Sequence, residues 1–130
     1  MEFKIKTKKR EEILDITSKV KEIVREKANP DSRACLVYVP HATAAVIANE
    51  NADQKVCEDI LDYLKSQIPQ GQWKHDKIDN NADSHIKASI IGPQQLIPIE
   101  DGQLRLGTWQ GIGLVELDGP RDRTVVVKIL

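Results

Sequence analysis

A chain of 130 residues with 30% charged side chains and a net charge of −1 has room for one buried core and no global field to hold nucleic acid or an anionic membrane. The opening MEFKIKTKKR lacks the apolar centre of a signal peptide, and no apolar run approaches the roughly 20 residues of a spanning helix. A cytoplasmic protein organised as one domain over residues 1–130 is therefore expected, with neither nucleic acid nor membrane as partner.

The predicted elements begin with EFKIKT, where Phe3 and Ile5 alternate with lysines in the period of a half-buried strand. EEILDI predicts a second short strand. Behind the candidate caps Asp15 and Thr17, Val20, Ile23, Val24 and Ala28 share one face of a helix that Asn29-Pro30 stops. RACLVYV is continuous and apolar, the mark of a buried central strand, and it ends at Pro40-His41. AAVIA follows.

Val56, Cys57, Ile60, Leu61, Leu64 and Ile68 then recur at helical spacing, with Asn51 or Asp53 as cap and Pro69 as stop. Residues 70–81 predict an ordered loop around Trp73. ADSHIKASII predicts a short helix from Asn81 to Gly92, the latter suited to a left-handed closing position. Asp101-Gly102 between two alternating runs predicts a hairpin, and GIGLVEL and TVVVKIL predict another around DGPRDR. The fold class expected is α+β, mostly antiparallel sheet with packed helices. Cys35 and Cys57 lie in apolar runs without CxxC spacing and read as reduced core residues. High Lys and Glu content with few aromatics also suits a thermophile.

Three groups carry candidate chemistry. The three histidines, His41, His75 and His85, each stand where a polar loop meets a regular element. Three imidazoles with an open fourth position are a recognised catalytic zinc arrangement, although surface histidines that only form hydrogen bonds give the same pattern. Asn49, Glu50 and Asp53, then Asp76, Asp79, Asn80, Asn81 and Asp83, are acidic or amide groups suited to orienting imidazoles or holding a hard cation; helix capping explains several equally well. In LGTWQGIGLVELDGPRDR, the glycines permit close approach, while Thr108, Gln110 and Arg121 offer polar contacts for phosphate. Walker, dinucleotide and nucleophile-elbow motifs are absent.

The order of HATAAVIANENAD, W-K-H-D, SHIKASIIG and IPIEDGQLRLGTWQGIGLVELDGPRDR resembles the YjbQ family, also called the secondary thiamine-phosphate synthase family, from about Val37 to the carboxyl end. The resemblance implies an α+β domain built on antiparallel sheet and assembled as a homotrimer. His41, His75 and His85 match the motif histidines, Asn49 and Glu50 the "NE" pair, and Arg121 the late arginine. Ala42 stands where the family often has a hydroxyl residue, and Ser84 where it often has alanine.

The implied activity joins a pyrimidine pyrophosphate to a thiazole phosphate and releases pyrophosphate. On that reading His41, His75, His85 and Glu50 are catalytic, and Thr43, Asn49, Asn81, Thr108, Gln110 and Arg121 contact a phosphorylated metabolite. The three histidines would hold a divalent metal, zinc by ligand type, with magnesium as companion of a pyrophosphate substrate. Two other classes stay open: a non-catalytic trimer that binds metal or metabolite, and a metal-dependent hydrolase with Glu50 or Glu116 as base.

Overall fold

A computed structural model describes residues 1–130 as eight strands and three α-helices. The alternating segments form β1 (Glu2–Lys6), β2 (Glu12–Asp15), β3 (Ala34–Tyr38), β4 (Ala44–Asn49), β5 (Gln94–Glu100), β6 (Gln103–Leu104), β7 (Gly111–Glu116) and β8 (Asp122–Ile129). Every paired ladder is antiparallel, so the expected α+β class holds. The larger sheet runs β1-β8-β3-β5-β6, with the apolar β3 at its centre, and the smaller runs β2-β7-β4.

The layers follow from which face of each strand is apolar. Cys35, Val37, Ile97, Val125 and Val127 of the large sheet meet Ala44, Val46, Ile112 and Leu114 of the small one. Helix α1 (Thr17–Lys27) closes this core with Val20, Ile23 and Val24. The opposite face of the small sheet, with Ile13, Ala45 and Val115, packs against Cys57 of α2 (Gln54–Gln67) and Ala88 of α3 (Ala82–Ile91). The order is thus large sheet, small sheet, helices. On the outer face of the large sheet Leu36 stands opposite Leu96, and Tyr38 opposite Val126.

Local signals set several boundaries. Asp53 caps α2 by accepting from Lys55 N at 2.9 Å. At the start of α1 it is the Asp15 carboxylate that takes the Thr17 amide, at 2.9 Å, with Thr17 already inside the helix. Asp101 and Gly102 both have positive φ, 52° and 74°, as a primed hairpin turn requires. Gly92 also has positive φ (94°), but its ψ of 156° leads the chain straight into β5 instead of closing a left-handed turn.

The hairpin at Asp101-Gly102 forms with a shortened second arm, and the other expected hairpin fails. The run after Asp101-Gly102 pairs over two residues only, because Leu104 and Leu106 turn inward onto the core. GIGLVEL and TVVVKIL do not form a hairpin: β7 belongs to the small sheet and β8 to the large one, so DGPRDR crosses from one layer to the other. The reason is the charge each strand points inward. Glu116 and Arg123 are 0% and 3% exposed and meet across the sandwich, Arg123 Nε donating to Glu116 Oε2 at 2.8 Å and Nη2 donating to Oε1.

Candidate functional site

The loop predicted at 70–81 holds a 3-10 turn, Lys74–Lys77, which carries His75 towards α3. Asp76 fastens it: one carboxylate oxygen accepts from Trp73 N at 2.9 Å and the other from Ala82 N at 3.0 Å, tying the turn to the first turn of α3. The backbone bond from Trp73, with that from Ala82, holds the Asp76 carboxyl below its ordinary range. Trp73 Nε1 donates to Pro69 O at 2.7 Å, which fixes the indole.

His85 lies in the first turn of α3, so the two rings meet edge to face with centroids 5.1 Å apart and planes at 89°. Around them is an open pocket of about 540 Å³ lined by Gln72, Trp73, Lys74, Ala82 and Ile86. His75 Nε2 is 3.6 Å from Asp79 Oδ2, an exposed contact. Two imidazoles bound at about 2.0–2.1 Å to one tetrahedral ion have ring centres roughly 5.2 Å apart, so the observed spacing suits a shared ion. Within the chain no three His, Cys, Asp or Glu side chains are grouped to hold a metal.

His41 stands elsewhere, at the end of β3. Its Nε2 accepts from Thr124 N of β8 at 2.8 Å. Burial and the nearby Arg123 guanidinium push its pKa down, against a smaller opposing effect from Glu116. Thr43, two residues on, is buried, and its carbonyl and hydroxyl oxygens accept from Arg123 Nη2 at 3.1 and 2.8 Å. Thr43 thus holds an arginine of its own chain.

The other candidates are spread over three places. At the end of β4, Asn49 Oδ1 accepts from Glu50 N at 2.7 Å, and Asn49 pairs with Gly111. Thr108 and Gln110 lie in the exposed segment before β7, with Gln110 Oε1 accepting from Gly107 N at 2.8 Å. Asn81 and Arg121 are joined through Asp118, whose Oδ2 accepts from Asn81 Nδ2 at 2.8 Å and from Arg121 Nη2 at 2.9 Å. The charge of Arg121 is therefore already paired, though its side chain is half exposed. None of these lines the His75–His85 pocket.

Glu116 does not serve as a hydrolytic base here. Burial works against its ionised form, but Arg123, the Asp118 amide and Thr7 Oγ1 together outweigh it and hold the carboxyl below its usual range. Both oxygens are engaged, so neither is free for a water.

Sequence reading passed over Arg123, which outranks Arg121 in burial, and a second ionic group on α3. Lys87, 1% exposed, reaches Glu11 and Asp83, each at 3.1 Å, while Arg10 clasps Asp83 from the other side at 3.0 Å. The available signal was position: Arg123 shares the inward phase of Val125 and Val127, and Glu116 that of Ile112 and Leu114.

A family model described as "UPF0047 protein YjbQ-like" matches residues 1–130. A UPF0047 protein of Archaeoglobus fulgidus is 45% identical over 131 residues, covering 100% of both chains. Bacillus subtilis YugU is 42% identical, with 98% of this chain and 96% of that protein covered. Among solved structures, a YjbQ/UPF0047 family protein of Clostridium acetobutylicum superposes with TM-score 0.94 at 46% identity, covering 100% and 99% of the two chains. A YbjQ-like protein of unknown function from Sulfolobus solfataricus gives TM-score 0.95 at 40% identity over 99% of this chain and 94% of that one. The layered antiparallel architecture is that of these neighbours, and the chain belongs to the UPF0047 family of YjbQ-like proteins.

Proposed function

We propose that the protein is a small-molecule enzyme working at the His75–His85 pocket, and that its reaction is of the secondary thiamine-phosphate synthase kind. The observation that carries this is the pair of facing imidazoles in a pocket walled by Trp73. A flat heteroaromatic ring is the natural occupant of the indole wall. Lys74, on the rim, supplies positive charge for a phosphate, and imidazole is the side chain most often used for general acid–base work. His75 and His85 would hold a divalent ion, which when bound neutralises charge on a departing pyrophosphate. The remaining coordination positions would fall to solvent or ligand.

The test is product formation from a pyrimidine pyrophosphate and a thiazole phosphate, followed by mass spectrometry with and without chelator. His75→Ala and His85→Ala are each expected to lower turnover by about 10²-fold or more. No product above the protein-free rate would overturn the reading in favour of a binding protein, and unchanged variants would move the chemistry elsewhere.

The expected homotrimer stays part of the proposal. Its support is the outer face of the large sheet, where Leu96 is 60% exposed beside Leu36 and Tyr38. Sedimentation of wild type against Leu96→Lys reads it out: a trimer that becomes a monomer is expected. Free Cys35 and Cys57 accord with a reducing, cytoplasmic setting, and no helix is long and apolar enough to cross a membrane.

A further inference from the structure

Strand β3 stops where proline forbids it to continue. Tyr38 pairs with Val126, so the same register carried on two residues brings Pro40 opposite Thr124. Proline has no N–H to offer the ladder, and the chain leaves the sheet. The Thr124 amide, next in line on β8, is then taken by the side chain of His41 through Nε2 at 2.8 Å.

A backbone amide can only donate, so Nε2 must present its lone pair. The proton of the neutral ring therefore sits on Nδ1. Nδ1 finds no acceptor in the chain, and it is not among the buried side-chain atoms left without a partner. It is an unused donor that solvent can reach, on a ring held against β8 by the Thr124 amide.

The surroundings make this donor point to an anion. Arg123 precedes Thr124 and holds Thr43, so the turn 41–43 is fastened to β8 at both ends. Its Nη2 and Nε are consumed by Thr43 and Glu116, while Nη1 makes no hydrogen bond in the chain and is likewise not sealed. A metal at Nδ1 would fit badly, because the ring proton would move to Nε2 and face the Thr124 N–H donor to donor.

We propose that His41 is a binding residue that donates a hydrogen bond from Nδ1 to a phosphoryl oxygen of a bound anion, with the unengaged Nη1 of Arg123, the residue before Thr124, as a second donor, and that it is neither a metal ligand nor a base. This assignment does not rest on the reading of the His75–His85 pocket.

The experiment uses the full chain with ¹⁵N-labelled imidazoles. Long-range ¹H–¹⁵N correlation spectra at neutral pH are expected to show the His41 proton on Nδ1, and inorganic phosphate is expected to shift that resonance. In His41→Gln the amide oxygen can replace Nε2 as acceptor for Thr124, while the Nδ1 donor is lost. Phosphate affinity should then fall roughly tenfold or more, the worth of one hydrogen bond to a charged group. His41→Asn, which keeps a donor near the Nδ1 position, should lose less. Zinc(II) titration is expected to leave the His41 nitrogens unmoved and His41→Gln with wild-type zinc binding. A proton on Nε2, a His41 signal indifferent to phosphate, or a direct response of its nitrogens to zinc would each overturn the proposal. Those readouts belong to His41 alone, so failure of the pocket variants to affect turnover would be a separate result.

Discussion

Arg123→Met isolates the ion pair that joins the two sheets. Methionine keeps much of the apolar stem but leaves the Glu116 carboxylate, 0% exposed, with only Thr7 Oγ1 and the Asp118 amide. Removing one partner of a buried pair costs about 3–5 kcal/mol. For a chain of this length each kcal/mol lowers the midpoint by roughly 4 °C, which gives a drop of about 12–20 °C in a thermal melt.

The deficit should depend on pH in a stated direction. In wild type the Glu116 pKa is depressed, so its stabilising effect is present above the unfolded value of about 4.3 and is lost as pH falls through the folded value. In Arg123→Met the uncompensated burial raises that pKa instead, and the gap between the two proteins should widen from pH 4 to pH 7 in urea titrations. Glu116→Gln/Arg123→Met, which removes both charges, should recover about 2 kcal/mol or more of the single variant's loss. A single variant within about 1 kcal/mol of wild type, or a double variant equal to the sum of its singles, would refute the reasoning.

Asp83 predicts a second acid-sensitive step. Burial opposes its charge, but Arg10 and Lys87 together hold its carboxyl below the ordinary range. The stability it contributes is present above the unfolded value of about 3.9 and is lost as pH falls through the folded value. Urea midpoints should therefore fall below about pH 4, and Asp83→Asn should flatten that limb while lowering stability at pH 7. The two cysteines should resist alkylation in the folded protein at pH 8, since burial pushes Cys35 up to about 11 and raises Cys57 as well. Mass spectrometry should find both labelled only after unfolding; rapid labelling of Cys35 in the native state would contradict its burial.

Much of the fold was legible because its signals are local. The apolar run of β3, the spacing of α2 and the Asp101-Gly102 turn each depend on a few adjacent residues, and each appears in the structure. Strand partners were not legible. Alternation says which face of a strand is buried, not which strand lies beside it, so β7 and β8 looked like a hairpin although they belong to different sheets. The inward charges of Glu116 and Arg123 held the clue, since such groups are buried only opposite one another.

The site divides in the same way. Trp73, His75 and His85 converge because a turn and a helix start lie close in the chain. His41 takes its character from Thr124, a contact 83 residues away that no local motif announces. Residue type alone gave three equivalent imidazoles, whereas the structure gives two that face each other and one whose tautomer is fixed.

The pairing of the first strand with the eighth has a bearing on how the molecule comes into being. Glu2 lies against Val126, and Val127 N donates to Met1 O at 2.8 Å. β8 also separates β1 from β3, so neither has its neighbour in the large sheet until residues 122–129 have been synthesised. A nascent chain emerging from the ribosome can form α1 and α2 early, but it carries β1 and one side of β3 as unpaired edges for almost its whole length. Non-local closure of this kind makes for slow folding. The lysines that alternate through β1 then have a use before the sheet exists: they keep the waiting strand from pairing with another copy of itself.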